Sequence, residues 1–436
     1  MAARKAPNGG GDADGDSPHS GDTTTGADND LPPEPACGAD GIVNGSYLLN
    51  RALDIVPLEG CRQITGDLTI TGDTTLVSLA SLGSLVSIGG KLTVSDSDQL
   101  TSLAGLEGVN HVGSLELTDN AQLQSLVGLD ALANIDGSVL IRGNSALASL
   151  TFAALTAIGG DLIIENNRPL ANIDGFNALI SIASNLDIVQ GNTLQSISGF
   201  QALQQIGGRL LLQNNPPLTT VTGFIELSQV HGSLRLVDNF SLAGLGGLAK
   251  LTTIRGDFEI TDNPGLINLD DLPVLDNVGG AFVVQNNEHL QNIDGLSNLL
   301  VIGEFIIVLR NPALQNVQGL ADLLILGSGI TLNENDALQT IAGFNKLEEI
   351  RRITLIDNPL LANLDGFSIL TDLTVGLRIE GNSVLPKCIA QNFATNLTIG
   401  GPVVIADNDD PCVPNPCGVQ TCAAQCASPP DYFVCQ

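Results

Sequence analysis

The chain has no tryptophan, one methionine, two tyrosines and four histidines in 436 residues. Aromatic residues reach only 3%, so the usual Tyr/Trp recognition surface is nearly missing. Lys and Arg number 17 against 47 Asp and Glu, a formal net charge of −30. That balance excludes sequence-independent nucleic-acid binding, which needs a basic footprint to displace counterions from phosphates. It equally disfavours docking to anionic lipid, which attracts polybasic segments. No stretch approaches the ~18 uninterrupted apolar residues of a membrane-spanning helix. The richest, Leu299–Leu309, is broken by Gly303 and Glu304. The histidines His19, His111, His231 and His289 lie far apart, and no H-E-x-x-H, His/Cys cluster, G-x-S-x-G or phosphate-binding loop occurs. No catalytic residue, cofactor or metal is expected, and neither a nucleic-acid partner nor membrane insertion.

The eight cysteines are unevenly placed. Cys37 and Cys61 stand near the start, none follows until Cys388, and Cys412, Cys417, Cys422, Cys426 and Cys435 complete the set. An even count at the two ends of a long array suggests disulfide caps and an oxidising compartment. The expected location is therefore extracellular or cell-surface. Met1–Pro7 has a basic start but no apolar segment after it, so no signal peptide is read there. A cytosolic protein with reduced thiols stays open as the alternative. Residues 1–36 are rich in Gly, Asp, Ser, Thr and Pro and read as a disordered acidic leader, either a spacer or a solvated tail.

From about residue 45 the chain repeats itself. Ile158–Leu179 (IGGDLIIENNRPLANIDGFNAL) aligns with Ile206–Leu227 (IGGRLLLQNNPPLTTVTGFIEL). The unit is I-x-G-x-L-x-I-x-x-N-x-x-L-x-x-L-x-G-F-x-x-L. Its Asn slot occurs 16 times from Asn50 to Asn408, and 14 of the 15 steps are 23 or 24 residues; Asp73, Ser97 and Gly191 are the departures. L-x-I alternates with period two and reads as a short strand with both apolar ends inward. The next apolar residues, Leu170, Ile173, Phe176, Leu179 and Ile182, recur every three. At about 100° per residue they drift off any one helix face, so they suit the corners of a coil, with at most one helical turn near F-x-x-L.

One such coil cannot bury enough apolar surface alone, so stability comes from stacking. The expected fold is an all-β parallel solenoid of about 16 coils with disulfide-capped ends. At a strand spacing of about 4.8 Å, it makes a rod roughly 70 Å long. Glycines such as Gly160 and Gly175 are expected to let the chain bend into and out of the strand. The Asn amide is expected to satisfy backbone groups of adjacent coils, a structural role. The exposed solenoid end calls for a cap, and a Cys37–Cys61 bond is expected there. The pairing of the other six cysteines stays open.

Leu58–Ile70 (LEGCRQITGDLTI) resembles the opening of the receptor L-domain family, in which a Cys precedes I-x-G-x-L-x-I and further L-x-x-L coils follow. That family includes ligand-binding domains of insulin and epidermal growth factor receptors, and fungal and bacterial surface proteins. The resemblance implies a right-handed β-helix related to leucine-rich repeats, over roughly residues 37–411, and a role in binding or adhesion. The chain carries far more coils than a receptor L domain. Residues 412–436 look like an EGF-like remnant short of its last Cys, with Cys426 extra. The domain order expected is thus 1–36, 37–411 and 412–436.

Function is then sought on the coil surface. The outward strand position holds Leu140, Ile163, Leu211, Val283 and Ile306, aliphatic side chains expected to form exposed patches. A protein or polysaccharide at a cell surface is the partner expected there. The alternative is a structural spacer without a ligand. A third reading is a polysaccharide-active enzyme, for which Asp270 and Asp294, in equivalent slots of adjacent coils, are the best carboxylate pair. No Lys or Arg occupies the neighbouring slots, so solvated turn acids are the plainer account.

Overall fold

The computed structural model describes residues 36–72 and 75–409. Within it, sixteen short strands, one per coil, stack in parallel from Tyr47–Leu49 to Val403–Ala406. Their register is fixed by the L-x-I pattern. Leu162 pairs with Leu186, which pairs with Leu210 and then Leu234; Ile164, Ile188, Leu212 and Leu236 form a second inward row. All eight are buried. A slip of one residue would turn every one of them to solvent, so the pattern specifies the stacking.

A second column of two-residue strands runs beside the first, from Ile42–Val43 to Thr398–Ile399. It holds the Ile of I-x-G. In four coils the two columns fuse into one continuous strand: Ser87–Ser95, His111–Thr118, Glu349–Ile356 and Asp372–Glu380. On the opposite side of the coil Asn172–Ile173, Ser196–Ile197 and Thr220–Val221 make a small third column. In several other coils that side carries a single 3-10 turn, as at Asp294–Leu296 and Asp365–Phe367. This is the one helical turn the F-x-x-L spacing allows.

The core is a stack of like on like. Phe152, Phe176, Phe200 and Phe224 stand one above another with ring centroids 5.0, 4.9 and 5.2 Å apart, close to the coil spacing. The Asn slot forms a second, polar stack. Asn263 Nδ2 donates to Leu236 O at 2.8 Å in the preceding coil and to Thr261 O at 2.9 Å in its own. Its Oδ1 accepts the backbone N–H of Asn239 at 3.2 Å. From Asn120 to Asn408 these amides are almost wholly buried. Gly191 interrupts the series: it receives Asn215 Oδ1 on its own N–H at 2.8 Å but has no amide to offer Asn167.

Three features depart from the expected details. The glycines do not bend the chain so much as let coils touch: a Cβ on Gly175 would lie 1.6 Å from Leu150 O of the coil beneath. The turn after each strand is made instead by the residue before the Asn slot, which takes a positive φ in coil after coil, including Asp119, Asn166, Asp238, Asp262 and Arg310 at 51–57°. Asn and Asp tolerate this region best among non-glycine residues, and they fill most of the column. Finally, an α-helix spans Lys387–Thr395, with Phe393 set against Phe367 at 5.7 Å. The last step of the Asn series, 26 residues, accommodates it.

Cys37 and Cys61 form the expected disulfide at the first coil. Cys388 is disulfide-bonded as well. The expectations for residues 1–35 and for Cys412, Cys417, Cys422, Cys426 and Cys435 fall outside the described residues.

Candidate binding face

The parallel strands present an outward column, the x of L-x-I, along the whole stack. Leu140 and Ile163 are register neighbours in it, both half-buried. They border a cleft of about 660 Å³ that Lys91, Glu116 and Ser138 also line. Lys91 Nζ meets Glu116 Oε2 at 2.6 Å, so the cation there is already neutralised.

Leu211 lies in the same column two coils on, outside the core cluster, yet it is only 7% exposed. Its register neighbours are Asp187 and Arg235. Arg209 grips Asp187 through two hydrogen bonds, 2.9 and 2.7 Å, and Asp187 is 6% exposed. Arg235 reaches Glu259 at 2.6 Å. Leu211 thus lies between two ion pairs whose long side chains have apolar stems able to shield it from water. Leu211 is therefore not the exposed aliphatic that alternation implied. The Arg209 guanidinium is pushed above its usual range, chiefly by its hydrogen bond to Asp187.

Ile306 is the one position placed on the wrong face. It is fully buried and registers with Phe282 and Ile330. The outward residue in that coil is Ile307, the register neighbour of Val283 and Thr331, and half-buried like Val283. The second aliphatic patch is thus Val283 with Ile307. Sequence reasoning could have found it: the outward residue falls four positions before the Asn slot in Leu140, Ile163, Leu211 and Val283, and four before Asn311 is Ile307.

The acidic alternatives carry no catalytic geometry. Asp270 and Asp294 are both exposed, each at a turn where an Asn side chain holds the Asp backbone N–H, Asn268 at 3.2 Å and Asn292 at 3.1 Å. The carboxylates are left to solvent. The histidines are separate too. His111 Nε2 lies 3.0 Å from Asp136, His231 Nε2 lies 3.0 Å from Gln229, and His289 Nδ1 donates to Pro264 O at 2.6 Å. Among the described residues, no group of His, Cys, Asp or Glu is arranged to hold a metal ion.

The strand-end turns carry most of the remaining charge. Asp238 and Asp262 follow one another in the left-handed column, and the Asp238 carboxyl is raised above its usual range, first by burial and then by the charge of Asp262. Further on, Arg310 pairs with Glu334 at 2.8 Å across a cleft of about 420 Å³ that Asp336 and Asp357 also line. Among the described residues, no helix is long and apolar enough to cross a membrane.

No curated protein matches the chain. Among solved structures, a match is "Crystal structure of TLR13-ssRNA13 complex", at 18% identity and a TM-score of 0.37. It covers 84% of this chain and 54% of that one, so the chain spans about half the length of that neighbour. The family profile described as receptor L domain matches residues 60–172, and over those coils the chain is similar to that domain.

Proposed function

We propose that the chain is a non-enzymatic binding or adhesion protein that works outside the cell or at its surface, with a protein or polysaccharide as partner. The observation that carries this reading is the half-exposed Leu140–Ile163 pair beside a cleft on the sheet face. Apolar surface next to a concavity is what an interaction site needs, and the coils themselves do not need it outward. The receptor L-domain similarity over residues 60–172 includes both residues and supports a receptor-type role. The disulfides at Cys37–Cys61 and Cys388 support an oxidising location. In this reading residues 1–36 are a leader, 37–411 the binding solenoid and 412–436 a Cys-rich module.

The test replaces Leu140 and Ile163 with Lys in the full chain, and Val283 and Ile307 separately. Immobilised protein is then probed with arrays of cell-surface ectodomains and polysaccharides. Capture of one partner by the native chain, lost in the first pair at unchanged melting temperature, supports the reading. A chain that captures nothing in either array is a spacer.

A further inference from the structure

A smaller pocket of about 260 Å³ lies on the same sheet some seven coils beyond Leu140, lined by Phe305, Ser328, Gly329, Thr331, Arg351, Arg352, Thr354 and others. Its origin is a break in a local pattern. The residue just before each main strand normally supports the next coil: Asp161 Oδ1 accepts Asn185 N–H at 3.0 Å, Asn185 Oδ1 accepts Arg209 N–H at 2.9 Å, and Asp257 Oδ1 accepts Ala281 N–H at 2.9 Å. After Ala281 that column reads Phe305, Gly329, Arg352. Phe305 and Arg352 become two walls and Gly329 the floor between them. The floor cannot be filled, because a Cβ there would sit 2.8 Å from Arg352 O.

None of these departures serves the coil. Phe305 is 47% exposed, while Phe258, Phe282 and Phe344 in nearby coils are buried. Arg351 and Arg352 are both exposed and, among the described residues, neither guanidinium has a hydrogen-bond or ion-pair partner. Nearby Arg310, Lys346 and Arg378, by contrast, are each paired with a carboxylate. In the continuous strand Glu349–Ile356, Arg351 falls at the register shift between Ile350 and Arg352, and both arginines line the same concavity. Thr331 and Thr354, register neighbours in the outward column on strands about 5 Å apart, both line it.

We infer that this pocket binds a single acidic sugar residue, one pyranose ring carrying a carboxylate, at the end of a glycan. The exposed face of Phe305 takes the apolar C–H side of the ring, against the negative face of its π-system. The Thr331, Thr354 and Ser328 hydroxyls can donate to and accept from ring hydroxyls. The two free guanidiniums provide forked, charge-assisted donors for one carboxylate. The volume is below the roughly 300 Å³ at which drug-sized ligand sites begin, so it suits one ring. The field of the −30 chain opposes dianionic phosphates and polyanions more than a lone carboxylate, which selects against nucleotides and phosphopeptides. This site is separate from the Leu140–Ile163 patch and rests on the proposed surface role only for access to glycans.

The experiment measures binding of oligosaccharides ending in galacturonate, glucuronate or N-acetylneuraminate to the full chain by calorimetry, each beside its carboxyl methyl ester. The expected result is one acid bound roughly tenfold or more tighter than its ester, since a hydrogen bond to a charged group is worth that much. Arg351→Gln with Arg352→Gln should erase the preference, and Phe305→Ala should weaken both acid and ester. All three side chains are exposed, so melting temperature should hold. Lys346→Gln, and the Leu140→Lys with Ile163→Lys variant, should bind the acid as the native chain does. The inference is overturned if no acid outbinds its ester, if the preference survives the double arginine variant, or if a nucleotide or phosphopeptide binds there more tightly than every sugar.

Discussion

Asn263 and Asn239, one coil apart, are joined twice: Asn263 Oδ1 accepts both the backbone N–H of Asn239, at 3.2 Å, and its side-chain Nδ2, at 3.2 Å. The Asn263 amide thus serves three peptide groups, of Leu236, Thr261 and Asn239. Asn263→Leu removes these partners and keeps the volume. It is expected to lower stability by about 1–3 kcal/mol, the cost of buried groups left unpaired. Chemical denaturation would measure it, and an unchanged midpoint would deny the stack its structural role.

The Cys37–Cys61 bond closes a segment of 24 residues around the first coil. Among the described residues that coil stacks on a single neighbour, so it gains least from the array. Cys37→Ser with Cys61→Ser should cost about 3 kcal/mol by the loop-entropy account. The loss should be local, with hydrogen exchange rising in Ile42–Val43 and Tyr47–Leu49 while the Phe176–Phe200 coils keep their protection. Uniform loss of protection would mean that the array melts as one unit.

Most of the fold is readable because two signals repeat independently, the L-x-I alternation and the Asn spacing. Where one fails the other still fixes the phase. Phe305–Leu309 is apolar at every position, so alternation alone could not tell Ile306 from Ile307; only the distance to Asn311 could. Leu211 shows a different limit. Its direction was legible, but its burial depends on the Asp187–Arg209 and Arg235–Glu259 pairs, which form between coils and leave no mark within one repeat. The left-handed column was hidden because Gly holds it only at Gly72, Gly143 and Gly381, and Asp, Asn or another non-glycine residue holds it elsewhere. The Phe305 pocket was equally hidden, since it arises from three residues spaced one coil apart.

Asp238 offers a pH test. Burial and Asp262 raise its carboxyl in the folded state, so the fold holds that proton more tightly than the unfolded chain does. Its ionised form therefore costs stability above the folded-state value, and the cost disappears as pH falls through that value towards the unfolded one. Asp238→Asn keeps the shape and tolerates the positive φ of 56°. It should raise the melting temperature at pH 7 and lose that advantage near pH 4. A gain of equal size at both pH values would assign the effect to something other than the charge.

The phase of the strand in the Phe305–Leu309 coil can be read by two adjacent substitutions. Ile306 is fully buried between Phe282 and Ile330, so Ile306→Lys would place an unpaired ammonium in an aliphatic stack. A cost above about 4 kcal/mol is expected, as for other uncompensated buried charges. Ile307 stands on the sheet surface between Val283 and Thr331, where a lysine stem can lie along the sheet and its charge can reach water. Ile307→Lys should stay within about 1 kcal/mol of the native chain. Denaturation midpoints of the two variants decide the matter. If Ile307→Lys unfolds the protein and Ile306→Lys does not, the register from Phe282 through Ile330 is shifted by one. The Val283–Ile307 patch would then not exist, and Phe305, next to Ile306, would turn inward and close the pocket proposed for the acidic sugar.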